Sequence, residues 1–235
     1  MRLCQVEKLV VCKVLGRVSR FSVLVRIGDN KEYAHINNTG RLKNLLAYGK
    51  NGFCIPIEGP KLRYRLIAIE DYEYAAVIDT LLQERAFIYA VLTNLIPWLD
   101  NVTSFKRNIR IENEVIDYMF NRNREEILVE VKSAILRIDK NLAGYPDAPT
   151  ARGRKQIELL GNHCAKGGKA YIVFIAGLPY VKGFKLYCEA DKEIGNAISN
   201  ARSMGVKFKS ISMFLNPLTE QIVLDNPDLP THLDC

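Results

Sequence analysis

Two hydrophobic periods divide the chain. Between residues 9 and 78, apolar and polar side chains alternate in short runs broken by turn chemistry, the mark of half-buried strands. The run Phe21-Ser22-Val23-Leu24-Val25-Arg26-Ile27, then Gly28-Asp29-Asn30, then Glu32-Tyr33-Ala34-His35-Ile36 reads as a hairpin. Further strands are predicted over 53–58 and 62–70, and a short helix over 41–48, where Leu42, Leu45 and Leu46 share one side. About five short strands with one interposed helix suit a small OB-like β-barrel.

The period then changes. Residues 79–95 carry Leu81, Leu82, Ala86, Ile88, Tyr89 and Leu92 without Gly or Pro, which predicts a helix ended by Pro97. This puts a boundary near Val77, with an OB-like β-barrel domain over 1–77 and a second domain over 78–235. In the second domain a first strand is expected over 115–120, a turn over 121–124, and a long apolar strand region that bends over 126–138. Residues 144–149 read as a loop, because Tyr145-Pro146-Asp147 and Pro149 oppose regular structure. Thr150 opens a helix that runs to about Cys164 and is ended by Gly167-Gly168. The apolar run 170–176 has the character of a strand covered on both faces; a helix over 191–204 and strands over 206–215 and 221–224 follow. The expected architecture is α+β to α/β: an OB-like barrel, then a domain with a mixed central sheet flanked by helices.

Composition narrows the picture modestly. With 235 residues and 48% hydrophobic content the chain can fill ordinary packed cores. Lys and Arg number 33 against 26 Asp and Glu, a formal charge of +7 that admits a polyanionic partner without requiring one. The six cysteines (Cys4, Cys12, Cys54, Cys164, Cys188, Cys235) lack zinc-ribbon or redox spacing, so inert thiols are expected, with a disulfide the alternative open to a hyperthermophile. Residues 1–13 lack the apolar run of a signal peptide, and 86–99 is too short and too polar to cross a bilayer. A cytoplasmic location without membrane contact is therefore expected.

The sharpest chemical feature is Asp117, followed thirteen residues later by Glu130-Val131-Lys132. Alternate residues of a strand share a face, so Glu130 and Lys132 project together while Val131 points away, and a hairpin brings Asp117 beside them. Two carboxylates and an ammonium in one cleft suit phosphodiester hydrolysis: Asp117 and Glu130 would hold Mg²⁺, with Mn²⁺ a substitute, and Lys132 would orient water or neutralise developing charge. The plain alternative is a cross-strand ion pair on a wet face.

Two other segments offer groups for a phosphate backbone. Thr150 can cap the helix whose first turns collect Arg152, Arg154 and Lys155, a cluster of cations that opposes the helix dipole. Arg17 and Arg20, with His35, Asn38, Thr39 and Arg41, can line the lip of the barrel, although Asn38, Thr39 and Gly40 serve equally well as a structural turn.

Taken together, Arg17-Val18-Ser19-Arg20-Phe21, His35-Ile36-Asn37-Asn38-Thr39-Gly40-Arg41-Leu42, Asp117 with Glu130-Val131-Lys132-Ser133, and Tyr145-Pro146-Asp147-Ala148-Pro149-Thr150-Ala151-Arg152-Gly153 resemble, in order, the sugar fermentation stimulation protein family. Gly167-Gly168-Lys169-Ala170 and Ala201-Arg202-Ser203-Met204-Gly205-Val206 fit the same pattern. The resemblance implies an OB-like domain, a restriction-nuclease-like domain of the PD-(D/E)xK type, and DNA as partner. It leaves two functions open, metal-dependent cleavage and non-catalytic regulation of sugar-utilisation genes. It puts Asp117, Glu130 and Lys132 in the nuclease-motif places, and Asp147, Thr150, Arg152 and Gly153 in the loop that follows. The chain departs from the pattern twice: Glu114-Val115 replaces a Ser-Arg pair before Ile116-Asp117, and Asn37 replaces a Pro.

Overall fold

A computed structural model describes residues 1–59 and 62–235. In the amino-terminal part, strands β2 (Val10–Ser19), β3 (Ser22–Ile27), β4 (Asn30–His35), β5 (Asn51–Pro56) and β6 (Tyr64–Asp71) pair in the order β4-β3-β2-β5-β6. A parallel pairing of β4 with β6, Ala34 opposite Tyr64, closes the five strands into the expected OB barrel. Its interior is filled by the alternate residues Val14, Val23, Val25, Ala34 and Leu66, all without solvent exposure. The helix expected over 41–48 is absent. Leu42 takes φ +51°, and a single turn forms in which Leu45 and Leu46 donate to the Leu42 carbonyl. The Leu42 N–H is bound instead to Asp147, 3.2 Å away, so a tertiary contact overrides the local apolar period.

The barrel is joined to the second domain by two strands. β1 (Arg2–Gln5) pairs with β16 (Gln221–Leu229), and β7 (Tyr74–Val77) pairs with both β6 and β15 (Lys207–Asn216). Helix α1 (Thr80–Leu92) follows, capped by the Asp79 carboxylate on Leu82 N–H at 2.7 Å. It ends before Pro97, at Thr93, because Asn94 turns left-handed (φ +56°) and Leu95 N–H reaches back to the Ala90 carbonyl.

Through β7 the barrel's sheet continues into the second domain in the order β7-β15-β13-β10-β9-β8, with β8 (Val102–Ile111), β9 (Glu114–Arg122), β10 (Glu125–Ser133) and β13 (Lys169–Ala176). Its centre, β10, β13 and β15, is parallel, and β9 and β8 add antiparallel to one side. The first strand of this domain is thus β8 and not the one over 115–120. An edge strand that exposes Lys106, Arg107, Asn108 and Arg110 lacks the apolar alternation that would announce it. Helix α1 packs on one face of the sheet, and α2 (Ala151–Ala165) and α3 (Ile194–Ser203) on the other. A small second sheet, β11 (Leu136–Arg137), β12 (Leu142–Tyr145), β14 (Gly183–Leu186) and β17 (Thr231–His232), takes Gly144 and Tyr145 out of the predicted loop into a strand.

Of the two states left open for the cysteines, both occur. Cys12 and Cys54 remain buried thiols in the barrel, 3.5 Å apart, while Cys188 and Cys235 form a disulfide across 47 residues. No helix among the described residues is long and apolar enough to cross a membrane.

Candidate active site

The β9–β10 hairpin turns on Asn123 and Arg124, both with positive φ, as a two-residue turn matched to strand twist requires. This register pairs Glu125 with Arg122 and continues to Val129 with Tyr118, where the ladder stops. One step further, Asp117 faces Glu130, and side chains replace the backbone bonds. Asp117 N–H donates to Glu130 Oε2 at 3.2 Å, and Val131 N–H donates to Asp117 Oδ2 at 2.8 Å. Two carboxylates are thereby held in the opening between two strands, each oriented by a backbone N–H of the opposite strand.

Lys132 completes the group. Its ammonium donates to Glu130 Oε1 at 2.7 Å and to Gln156 Oε1 at 2.6 Å, while Gln156 Nε2 donates to the Val115 carbonyl at 2.9 Å. Glu130 and Lys132 are buried and Asp117 is half-buried, so Asp117 forms the accessible rim. Burial pushes the Glu130 carboxyl up to about 7, helped by Asp117 and opposed by Lys132. Burial likewise raises Asp117, against the Val131 N–H and the charges of Lys132 and Arg152. For Lys132 burial alone would lower the pKa, but Glu130, Tyr145 and Asp117 outweigh it and the net direction is up.

Gln156 was not visible in the sequence as a site residue. The available signal was one polar residue in the buried stripe of α2, among Gly153, Ile157, Leu160 and Gly161. Glu84 on α1 was missed too. It accepts from the Tyr118 hydroxyl at 2.6 Å, and its carboxyl is raised by burial and by the charge of Asp117.

Of the residues predicted to meet a phosphate backbone, some are committed elsewhere. Arg17 donates to the carbonyls of Ser19, Arg20, Asn38 and Gly40. Asn38 is buried, binding the Ile78 carbonyl at 3.1 Å and Ser133 Oγ at 3.4 Å. Arg154 is paired with Asp191 and, at 2.6 Å, with Glu193. Thr150 caps α2 by accepting from Gly153 N–H at 3.2 Å. His35 is half-buried. Arg20, Thr39, Arg41, Arg152 and Lys155 are exposed. The two departures from the family pattern have structural roles. Glu114 pairs with Arg152 at 3.6 Å, and Asn37 Oδ1 accepts from Thr80 N–H at 3.1 Å at the start of α1.

The same loops that carry the sequence resemblance therefore converge. Asp147 binds the 38–42 loop through Leu42, and Asn38 binds β10 through Ser133, beside Lys132. The family model described as the sugar fermentation stimulation protein RE domain matches residues 81–219, and the SfsA N-terminal OB domain model matches residues 15–78. The chain belongs to the sugar fermentation stimulation protein family. A family homolog from Archaeoglobus fulgidus is 43% identical over 230 residues, covering 97% of this chain and 98% of that one. One from Pyrococcus furiosus is 39% identical over 215 residues, covering 92% and 93%. The solved structure of Pyrococcus furiosus SfsA in complex with Ca²⁺ superposes with a TM-score of 0.94 at 38% identity, covering 99% of each chain. The OB barrel and the mixed-sheet domain are thus the family's architecture.

Proposed function

We propose that this family member binds DNA and hydrolyses its phosphodiester bonds with a divalent cation, Mg²⁺ or in its place Mn²⁺, at Asp117 and Glu130. The observation that carries this is the facing of the two carboxylates across the opened ladder, with Lys132 alongside. Among the described residues no cluster of three or more His, Cys, Asp or Glu offers a closed cage. Two carboxylates suit an ion that keeps most of its waters and completes its shell with substrate phosphate. The RE-domain and OB-domain family models and the Ca²⁺ complex of the Pyrococcus relative support the same reading.

A bound Mg²⁺ would supply Lewis acidity at the phosphoryl oxygen and a lowered pKa to its water. The protein's share is orientation and charge. Val131 N–H and Asp117 N–H hold the carboxylates in place, and Gln156 holds the Lys132 ammonium where it can neutralise charge gathering on the phosphate. Exposed Arg20, Arg41, Arg152 and Lys155 would contribute to DNA attraction. Arg17, His35, Asn38, Thr39, Thr150 and Arg154 would shape the loops around them.

The second reading is a non-catalytic DNA-binding regulator of sugar-utilisation genes. It is favoured by Glu130, whose two oxygens are both engaged by protein donors, and by an acid, Glu114, where the family pattern has a Ser-Arg pair. The test is incubation of the chain with supercoiled, linear and single-stranded DNA in Mg²⁺ or Mn²⁺, beside Asp117→Ala and Lys132→Ala. Cleavage by the wild type and not by the variants supports hydrolysis. Equal cleavage by all three marks a contaminant, and binding by all three without cleavage transfers the conclusion to the regulator.

A further inference from the structure

Three exposed cations on β8, Lys106, Arg107 and Arg110, lie outside every residue set assigned so far. β8 is the outer edge of the sheet and carries no acidic residue. None of the three forms an ion pair among the described residues, whereas Arg65, Arg137 and Arg154 all do. Lysines on an edge strand often serve only to block sheet-to-sheet aggregation. Arg107 differs from such a gatekeeper in two respects.

First, its guanidinium is held. It lies 5.7 Å from the ring centroids of both Phe105 and Tyr118, and Tyr118 is itself bonded to Glu84. A cation fixed on two rings loses less freedom when it meets a phosphate than one on a free stem. Second, its place in the register is one residue from the level of the site. Arg107 pairs with Tyr118 and Ile109 with Ile116, so Asn108 falls opposite Asp117, and Asn108 is held at φ +54°. A left-handed non-glycine residue inside a strand costs energy and tends to occur at functional sites. The ladders on both sides of Asp117 are therefore interrupted at the same level. Arg107 stands one residue from that level on β8, over Tyr118 and on the side of Glu84, while Arg152, paired with Glu114 at the start of α2, acts on Asp117 by its charge.

We propose that Arg107 is a phosphate contact of this site, gripping the nucleic-acid backbone along the β8 edge so that one phosphodiester is presented to Asp117 and Glu130. Lys106 and Arg110 extend the same track. The proposal rests on the nucleic-acid reading above and names the path of the strand that reading requires.

The experiment is the binding of a fluorescein-labelled duplex to the full chain, read by anisotropy from 50 to 300 mM NaCl in Ca²⁺ buffer. Arg107→Gln is compared with Arg107→Lys and with Arg26→Gln, the same charge change on an exposed barrel residue away from the site. Loss of one phosphate contact lowers the slope of log K against log salt by about 0.9. Arg107→Gln is expected to lose that slope with a several-fold drop in affinity. Arg107→Lys should regain the slope, and Arg26→Gln should keep it. Equal slopes for wild type and Arg107→Gln, with the wild type still binding, would overturn the Arg107 assignment and leave the nucleic-acid reading standing. A wild type that binds neither duplex nor single strand at 50 mM NaCl would sink that reading, and this proposal with it.

Discussion

Asp117 and Glu130 face each other across the point where the β9–β10 ladder ends, each carboxylate accepting from a backbone N–H of the opposite strand. Burial in this opening raises both carboxyls, and the charge of Asp117 raises Glu130 further. The arrangement has measurable consequences.

The Glu130 carboxyl is raised from 4.5 to about 7, so the folded state binds a proton more tightly than the unfolded chain. Its contribution to stability is complete below pH of about 4.5 and is lost as pH rises through about 7, on the order of 3 kcal/mol at most. Urea denaturation from pH 5 to 8 should show this downward drift in the metal-free wild type and not in Glu130→Gln. Divalent-cation affinity should move the other way, rising close to tenfold per pH unit up to about 7 and then levelling, because the metal needs the ionised form. A flat affinity profile by calorimetry would remove Glu130 from the ligand set.

Gln156 accepts from the buried Lys132 ammonium and donates to Val115. Gln156→Ala leaves one donor of a buried charge unpaired, at a cost of about 2 kcal/mol. Chemical denaturation should show that loss. If the chain cleaves DNA, kcat should fall more than KM changes, since Lys132 loses its orientation and not its charge.

Gly40 packs directly on the Asp147 carboxylate: an added Cβ would stand 2.6 Å from Oδ1 and 2.8 Å from Cγ. Gly40→Ala must displace Asp147 from Leu42 N–H, which is expected to cost about 1–3 kcal/mol. In an Asp147→Ala background the same substitution should be nearly neutral. Additive costs in this double-mutant cycle would show that the two residues are not coupled.

The Cys188–Cys235 disulfide closes a 47-residue loop, a constraint on the unfolded chain of up to about 4 kcal/mol. Cys235→Ser, or reductant, should lower the thermal midpoint by several degrees. Thiol titration of the unreduced, denatured chain should find the four cysteines Cys4, Cys12, Cys54 and Cys164. Six titratable thiols would contradict the bridge.

Strand alternation along Glu130-Val131-Lys132, the turn chemistry near Asn123 and the capping sequence at Thr150 lie within a few residues of chain, and each was legible without coordinates. So was the family, from motif order. The helix over 41–48 was misread because its leucines are periodic while the Leu42 backbone is bound to a residue 105 positions away. β8 was missed because an edge strand needs an apolar pattern on neither its rim nor its exposed face.

The sequence by itself therefore determined the three helices, the strands β9, β10 and β13 around the site and the side on which Glu130 and Lys132 project, because period and turn type are properties of neighbours along the chain. Only the tertiary structure decided which cations are spent and which are free. Arg17 is consumed by the 38–40 carbonyls and Arg154 by Asp191 and Glu193, while Arg152 and Lys155 stay exposed. It also decided that Gln156 supports Lys132. Hydrogen bonds and ion pairs between segments far apart in the chain depend on which strands and helices become neighbours, and no local pattern encodes that.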